Sequence, residues 1–318
     1  MSDMNRSALI NVAKLYYYGN LSQEQIAKTI GVSRPKVSRM LSMARELNIV
    51  EFHISDSAVL NEHIQQALQA HLKLSNVVIV PSGATLAHTQ QSAGAAAGAY
   101  LNSILRDGMY IGVSWGTTVD SVVRQFTPSR PINDVTVVQM LGGIRTQSFN
   151  IDSRDVALTL AKRLNSGYSL LQAPFLVSGG QVRDVLLSEP EFAAHFRLFK
   201  KLDVAIVGIG SGVPERSVPY KAGYISLEQS RALVEQGFAT DICGSRIYRD
   251  GSIQKNILTD RIIGISLEQL KSVPDVVGVA VGEDKALSII AAARGGFIKT
   301  LITDEVAAIS IMGMEGLG

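Results

Sequence analysis

The sequence predicts a mixed α/β protein, in which an N-terminal helix-turn-helix unit precedes a larger, doubly wound and mostly parallel sheet. Three observations carry this prediction. Apolar residues recur at helical spacing up to about residue 47, strands and helices alternate from about residue 76, and many of these strands are apolar throughout. Alternating strands and helices favour a parallel sheet, and strands covered on both faces have this apolar composition.

Length and composition exclude several classes of protein. The chain has 318 residues, 46% hydrophobic and 18% charged, so it can bury a large core and is not a disordered chain. Its apolar stretches, such as 77–80, are far shorter than the about 20 residues of a spanning helix, so we expect no membrane association. The first ten residues lack a basic segment leading into an apolar run, and we expect a cytoplasmic protein.

The cysteine and histidine content predicts a reducing compartment and no metal or catalytic site. Cys243 is the only cysteine, which excludes an intrachain disulfide and agrees with a reducing compartment. Cys243 lies in a predicted strand, where we expect a small buried apolar side chain. The five histidines are scattered, so we predict no catalytic residues, no metal and no cofactor.

The net charge of +2 is concentrated near the N-terminus. Residues 1–56 hold seven Lys or Arg and five Asp or Glu, whereas the rest of the chain holds 23 of each kind. A local basic patch on an otherwise neutral chain is typical of a small nucleic-acid-binding module attached to a larger body.

The first two predicted helices have clear start and stop signals. The first covers 7–19 and ends at Gly19. Ser22, followed three residues later by Gln25, forms a capping-box pattern that starts a second helix, which ends at Ile30.

The third predicted helix completes a helix-turn-helix. Gly31 permits a tight turn, Ser33 can cap the new helix, Pro35 fits its first turn, and the helix extends to about Leu47. Ala27 is small enough for the two helices to cross closely. The core of this unit is predicted to contain Ile26, Ile30, Val32, Val37, Met40, Leu41 and Ala44.

The third helix carries polar and basic residues on its outward face. The N-terminal half of such a helix enters the major groove of DNA, where Arg can bond to guanine and Lys or Ser can hold phosphates. The alternative is an ordinary helical hairpin with solvated charges. The predicted DNA-binding residues are Ser33, Arg34, Lys36, Ser38 and Arg39.

A short strand is predicted over 49–54 and a helix over 58–72, in which Leu60, Ile64, Leu68 and Leu72 recur every four residues. Beyond them, eight strands are predicted at 77–81, 109–115, 135–141, 168–173, 204–210, 242–248, 276–282 and 298–303. Helices between and after them are predicted at 88–106, 117–126, 152–165, 181–187, 191–200, 226–236, 284–294 and 304–311, with Thr303 as the N-cap of the last. This order predicts a Rossmann-like sheet.

The loop after the second of these strands resembles a phosphate cradle. Ser114, Gly116, Thr117 and Thr118 lie between a strand and a helix, where backbone N–H groups and the helix dipole favour an anion. The segment lacks the Lys of a Walker A motif and the spacing of G-x-G-x-x-G. A tight turn with Thr as a helix cap is the alternative. Trp115 either packs in the core or stacks on a bound sugar.

Three other segments end or begin strands with polar residues or glycines. Gly142 and Gly143 allow close backbone approach, and Asp241, at the head of a predicted strand, can accept hydrogen bonds from sugar hydroxyls. Lys285 can pair with a phosphate, although an exposed helix lysine is the alternative. Asp284 is interpreted as a helix cap.

Taken together, these motifs resemble the SorC family of bacterial sugar-responsive transcriptional regulators. The resemblance covers nearly the whole chain, from YYYGNLSQEQIAKTIGVSRPKVSRML through GVSWGTTV, DVAIVGIGS, AGYIS and DICG to AVGEDKALSIIAAARGGFIKTLITDE. It implies a DNA-binding domain and an effector domain similar to glucosamine-6-phosphate deaminase and related phosphosugar isomerases. It further implies a homotetramer, a dimer of dimers, on palindromic operators, with a phosphorylated sugar or sugar alcohol as inducer.

The resemblance also assigns roles to residues. It implies that the effector phosphate meets Ser114, Gly116, Thr117 and Thr118 together with Lys285, and that the sugar meets Asp241. The implied domains are a DNA-binding domain at 1–56, a helical linker and oligomerisation segment at 57–75, and an effector domain at 76–318.

Two other functions are compatible with the residues alone. A phosphosugar isomerase or deaminase fused to a DNA-binding domain would need a positioned acid or base, and no convincing carboxylate–histidine set is present. The α/β body could also be an oligomerisation module that binds no ligand. The preferred hypothesis is a regulator of a carbohydrate operon whose operator binding responds to a sugar phosphate.

Overall fold

The structure is a computed structural model of the chain, and it describes residues 6–19, 21–50, 57–144 and 152–317. The chain divides into two compact units, Met1–Asp56 and Ser57–Gly318. Within the described residues, no helix combines the length and the apolar character that are needed to cross a membrane.

The first unit contains the three predicted helices, α1 (Arg6–Tyr17), α2 (Gln23–Ile30) and α3 (Arg34–Glu46). The predicted capping box is present, since the Gln25 N–H donates to Ser22 Oγ at 3.2 Å and the Ser22 N–H donates to Gln25 Oε1 at 2.8 Å. Gly31 ends α2 in the left-handed conformation, with φ of 70°. The turn chemistry that defines a helix-turn-helix is therefore confirmed.

The core of this unit is formed by the predicted apolar residues. Ile30 and Val32 pack against it while remaining partly exposed. Ser33 occupies the N-cap position of α3, as predicted, but its side chain makes no capping hydrogen bond. The buried residues of α2 and α3 are Ile26, Ala27, Val37, Met40, Leu41 and Ala44.

The second unit begins with α4 (Ser57–His71) and alternates strands with helices. Its other helices are α5 (Leu86–Ile104), α6 (Thr117–Gln125), α7 (Ser153–Leu164), α8 (Gly180–Ser188), α9 (Pro190–Leu198), α10 (Val218–Lys221), α11 (Leu227–Glu235), α12 (Leu267–Ser272), α13 (Ala286–Arg294) and α14 (Glu305–Glu315). Its strands are β1 (Asn76–Val80), β2 (Tyr110–Val113), β3 (Thr136–Gln139), β4 (Gly167–Ser169), β5 (Val204–Gly208), β6 (Phe238–Ile242), β7 (Ser245–Tyr248), β8 (Asp275–Val279) and β9 (Thr300–Asp304).

Seven of these strands form one parallel sheet in the order β1-β9-β8-β5-β2-β3-β4. The chain builds outward from β2 to β3 and β4 on one side, and from β5 to β8 and β9 on the other. The strand order therefore reverses between β2 and β5. In open α/β sheets, ligands bind at such a switch point, beyond the carboxyl ends of the strands.

Side chains of the central strand enter cores on both faces of the sheet. Val204 and Ile206 of β5 pack in a cluster with α5, α6 and α7, whereas Ala205 and Val207 pack in a cluster with α4, α13 and α14. This alternation explains why the strand is apolar at every position. The doubly wound α/β prediction is confirmed.

The strand predicted over 242–248 is wrong. The chain instead forms an antiparallel hairpin of β6 and β7, separate from the main sheet, with its turn at Cys243 and Gly244. Both turn residues have positive φ, 51° and 74° respectively, which no extended strand contains. Asp241 thus lies near the end of β6 and not at the head of a strand.

Smaller differences between the prediction and the structure concern the ends of helices and strands. Asp304 occupies the N-cap position of α14, whereas Thr303 is a buried residue of β9, so Thr303 is not the cap. Of the strand predicted over 49–54, residues 51–54 lie outside the described part of the chain, and Ile49 and Val50 form no strand. The short helices α10 and α12 were not predicted.

The helix α4 packs within the second unit. Ile64, Leu68 and Leu72 are buried in the same cluster as residues of β1 and α14. The side chain of Leu60 lies outside the described part of the structure.

Candidate functional site

A cavity of about 340 Å³ lies beyond the carboxyl ends of β2, β5 and β8. These three strands are neighbours in the sheet, so the loops that follow them meet at the switch point. The structure brings seven of the predicted ligand residues to this cavity: Ser114, Trp115, Gly116, Thr117, Thr118, Asp241 and Lys285.

The loop after β2 delivers the start of α6 to the cavity. Gly116 occupies the N-cap position with φ of 120°, a conformation that a residue with a Cβ rarely adopts. Since Gly116 has no side chain to cap the helix, the first N–H groups of α6 are left for another acceptor. Thr117 Oγ1 accepts a hydrogen bond from Gln90 Nε2 at 3.1 Å, which fixes this turn of the helix.

Ser114 and Trp115 form the buried side of the same loop. Ser114 is 2% exposed, and its Oγ donates to the Trp115 carbonyl at 3.3 Å and accepts from the Gly208 N–H at 3.4 Å. The Trp115 ring packs edge-on against Phe175, with 4.4 Å between the centroids. Trp115 therefore belongs to the core and borders the cavity at once.

Lys285 is a half-buried cation at the cavity and not an exposed helix lysine. Its Nζ donates to the carbonyl oxygen of Ile209 at 2.9 Å, just beyond the end of β5. Burial lowers the pKa of Lys285, an effect that the carboxylates of Asp284 and Asp241 oppose. The ammonium is therefore poorly solvated and gains from an added anion.

Asp241 lies in β6 and is 6% exposed. Arg246, its antiparallel partner in β7, places Nη1 3.5 Å from Asp241 Oδ1. Gly210 packs against the same carboxylate, because a Cβ at Gly210 would lie 2.3 Å from Oδ1. The carboxylate is thus held at the cavity wall by residues of two different loops.

The segment after β5 supplies charges that sequence reasoning missed. Arg216 and Lys221 border the cavity, as do Ser211 and Asp284. Asp284 Oδ2 accepts from Arg216 Nη1 at 2.5 Å and from Ser211 Oγ at 3.2 Å. Asp284 therefore forms an ion pair, and the prediction that it caps a helix is wrong. The only sequence signal was a basic, Pro- and Gly-containing segment that directly follows an apolar strand.

Gly142 and Gly143 do not border the cavity. A Cβ at Gly142 would lie 2.5 Å from the Pro174 carbonyl oxygen, and the Gly143 N–H donates to the Ala173 carbonyl at 2.8 Å. The two glycines allow this loop to approach the 173–174 segment closely. Ile144, one residue later, does border the cavity.

Cys243 and His195 also have buried positions. Cys243 borders the cavity at the tip of the hairpin, and burial raises the pKa of its thiol. His195 is 6% exposed, and its ring joins Ser169 Oγ, 2.8 Å from Nδ1, to the Gln139 carbonyl oxygen, 2.8 Å from Nε2. In the described part of the chain, no three His, Cys, Asp or Glu side chains are placed to hold a metal ion.

The first unit presents a second candidate site on α3. All five predicted DNA-binding residues are exposed there, and their apolar neighbours Val37 and Met40 face the core. The five lie at the start of the helix, the part that reaches base edges in a helix-turn-helix. The five residues are Ser33, Arg34, Lys36, Ser38 and Arg39.

The fold and these two sites define a transcriptional regulator with a helix-turn-helix and a ligand cavity in an α/β body. Comparison with known proteins gives the family. Residues 57–313 match the Sugar-bind family, described as "Putative sugar-binding domain". The chain belongs to the SorC family of sugar-binding transcriptional regulators.

Individual relatives support this membership over nearly the whole length. The chain is 31% identical over 306 residues to the sorbitol operon regulator of Klebsiella pneumoniae, covering 94% of this chain and 96% of that one. It is 28% identical over 311 residues to the deoxyribonucleoside regulator of Bacillus subtilis, covering 95% and 96%. The crystal structure of the full-length Klebsiella regulator SorC superposes with a TM-score of 0.75 at 26% identity, covering 98% of this chain and 100% of that one.

These relatives are transcriptional regulators and not enzymes. The fused-enzyme alternative is therefore not favoured, and the protein is a sugar-responsive regulator of transcription.

Proposed function

We propose that the protein regulates a carbohydrate operon and that a phosphorylated sugar or sugar alcohol in the switch-point cavity controls its binding to operator DNA. The observation that carries this proposal is the meeting of the α6 N-terminus and Lys285 at one cavity. Both favour an anion, and both lie where open α/β sheets bind ligands.

The phosphate is assigned to the loop between β2 and α6. The free N–H groups at the start of α6 donate to phosphate oxygens, with hydroxyl groups from Ser114, Thr117 and Thr118 close by. Lys285, and with it Arg216, supplies positive charge from the other side. Each of these groups interacts weakly with a neutral sugar, so phosphorylation adds most of the affinity.

The sugar is assigned to the side of the cavity that Asp241 borders. A carboxylate accepts hydrogen bonds from hydroxyl groups, and a cavity of about 340 Å³ is at the small end of ligand pockets, as a monosaccharide requires. Trp115 offers an apolar ring surface for the carbon skeleton. The Klebsiella relative is named for a sorbitol operon, so hexitol phosphates belong among the first ligands to test.

The DNA contact is assigned to α3, which we place in the major groove of a palindromic operator. Arg34 and Arg39 contact base edges, and the remaining polar residues of the α3 face hold phosphates. We further propose a homotetramer acting in the cytoplasm. In it, residues 1–56 bind DNA, residues 57–75 link and oligomerise, and residues 76–318 bind the effector.

Ligand binding would act by changing how protomers pack. Two recognition helices must meet successive major grooves about 34 Å apart, so a change in their spacing alters operator affinity. Coupling of this kind needs only about 1–3 kcal/mol of difference in ligand affinity between two states.

A thermal-shift screen tests the ligand assignment. The panel contains hexose, hexitol and pentose phosphates, each beside its unphosphorylated form, and inorganic phosphate. We expect at least one sugar phosphate to raise the melting temperature, inorganic phosphate to raise it less, and unphosphorylated sugars to have no effect. An equal shift by a sugar and its phosphate would contradict the assignment of the α6 loop.

A further inference from the structure

Arg246 is a buried arginine that does not line the ligand cavity itself but contacts Asp241, which does. It is 5% exposed, and its guanidinium spans Asp241 Oδ1, at 3.5 Å from Nη1, and Ser217 Oγ, at 2.7 Å from Nη2. Its Nε has no hydrogen-bond partner among the described residues. Burying a guanidinium is unfavourable unless its charge is compensated, so this arrangement needs a reason.

In this arrangement, one carboxylate oxygen of Asp241 contacts Arg246 and the other does not. Oδ1 faces Arg246 and packs against Gly210, whereas Oδ2 makes no hydrogen bond within the described part of the chain. A carboxylate held at one oxygen cannot rotate freely, so the other oxygen has a defined position at the cavity.

The other end of the guanidinium reaches the segment that carries the missed cations. Ser217 is 2% exposed and lies between Arg216 and α10, whose last residue is Lys221. Arg246 therefore joins the sugar side of the cavity, at Asp241, to the segment that supplies Arg216 and Lys221.

We propose that Arg246 is a positioning residue for sugar recognition: held at its other end by Ser217, it orients Asp241 to accept a hydroxyl group of the ligand. This inference rests on the proposed function, because it assumes that a sugar phosphate occupies the cavity. It assigns to Arg246 a contribution to recognition of the sugar moiety and none to recognition of the phosphate.

The test compares Arg246→Gln with the wild-type protein. Binding is followed by the fluorescence of Trp115, the only tryptophan, with inorganic phosphate and with the panel of hexose, hexitol and pentose phosphates. We expect Arg246→Gln to weaken the tightest-binding sugar phosphate by roughly tenfold or more, and inorganic phosphate by less than about twofold, because only the sugar needs an oriented Asp241. Arg261→Gln is the matched control, since Arg261 donates to the Val177 carbonyl at 2.9 Å and does not line the ligand cavity.

A second comparison separates positioning from a purely structural role. If Arg246 acts through Asp241, the double variant Asp241→Asn/Arg246→Gln binds the sugar phosphate as Asp241→Asn alone does. The double variant also removes both buried charges, so it carries the test if Arg246→Gln alone fails to fold. Additive losses, or equal losses for phosphate and sugar phosphate, would overturn the inference.

The outcomes also distinguish this inference from the proposed function. Wild-type protein that binds neither inorganic phosphate nor any sugar phosphate contradicts both. Wild-type protein that binds a sugar phosphate, with unchanged binding in Arg246→Gln, contradicts only the role of Arg246.

Discussion

Lys285 Nζ donates a hydrogen bond to the carbonyl oxygen of Ile209 at 2.9 Å, which fixes a cation from the start of α13 beside the carboxyl end of β5. Its charge lies at the switch point of the sheet, where the N-terminus of α6 also opens. One carbonyl is a weak partner for an ammonium group, and burial lowers the pKa of Lys285. The carboxylates of Asp284 and Asp241 oppose this effect, and an anionic ligand would add a further negative charge beside the ammonium group.

Replacing this cation should separate ligand response from DNA binding. We expect Lys285→Ala to abolish the effect of sugar phosphates on operator binding while operator affinity without ligand stays unchanged, because α3 belongs to the other unit. Lys299→Ala is the matched control, since Lys299 is half-buried and also donates to a carbonyl, that of Val273, away from the cavity. Gel shifts with and without ligand measure both effects. A full response in Lys285→Ala would refute the assignment.

Adding a methyl group at Gly210 should test whether the position of the Asp241 carboxylate matters for ligand binding. A Cβ at Gly210 would lie 2.3 Å from Asp241 Oδ1, so Gly210→Ala must displace the carboxylate. We expect sugar-phosphate affinity to fall by roughly tenfold or more, with a smaller change for inorganic phosphate. Gly179→Ala is the control, because a Cβ there meets nothing within 4 Å. Unchanged titrations for Gly210→Ala would show that Asp241 does not contact the ligand.

The arginines of α3 should determine operator affinity. We expect Arg34→Ala and Arg39→Ala each to weaken operator binding by about 1–3 kcal/mol, roughly five- to 150-fold, if they contact bases. Lys14→Ala removes an exposed positive charge from α1 and serves as the control. Fluorescence anisotropy over a range of salt concentrations measures the affinities. Normal affinity in both arginine variants would contradict the docking of α3.

His195 should make the second unit less stable in acid. Burial lowers the pKa of His195, although the bond to the Gln139 carbonyl opposes this effect. Between that lowered pKa and the unfolded value of about 6.5, the unfolded chain binds more protons, so stability falls as pH decreases through this window.

The slope that one group contributes is at most about 1.4 kcal/mol per pH unit. We expect the melting temperature to fall less between pH 7.5 and 5.5 in His195→Gln than in the wild type, whereas His63→Gln, at an exposed position, should behave as the wild type. Identical pH profiles for all three proteins would show that His195 does not titrate in this range.

The sequence predicted what depends on local pattern. The capping box of Ser22 and Gln25, the Gly31 turn and the apolar strands are set by neighbouring residues, and the structure has them. Six of the seven predicted ligand residues that meet at the cavity end or follow an apolar strand, and the loops after adjacent parallel strands converge. The seventh, Asp241, was predicted at the head of a strand that the structure replaces by a hairpin.

What could not be predicted depends on contacts distant in sequence. The apolar run at 242–248 resembles one strand, and only the left-handed backbone at Cys243 and Gly244 turns it into a hairpin. Arg216 and Asp284 are far apart in the chain, so their ion pair has no periodic signal. Likewise, the burial of Lys285 follows from a carbonyl 76 residues away.

Operator binding measured with paired ligands tests the central claim most directly. A fluorescent DNA fragment, selected for tight binding to this protein, is titrated in the presence of each sugar phosphate and its unphosphorylated form. The account predicts that at least one sugar phosphate changes the Kd by roughly fivefold or more, as a coupling of about 1 kcal/mol or above requires, while its unphosphorylated form does not. An unchanged Kd with every sugar phosphate, or the same change with the unphosphorylated sugar, would contradict it.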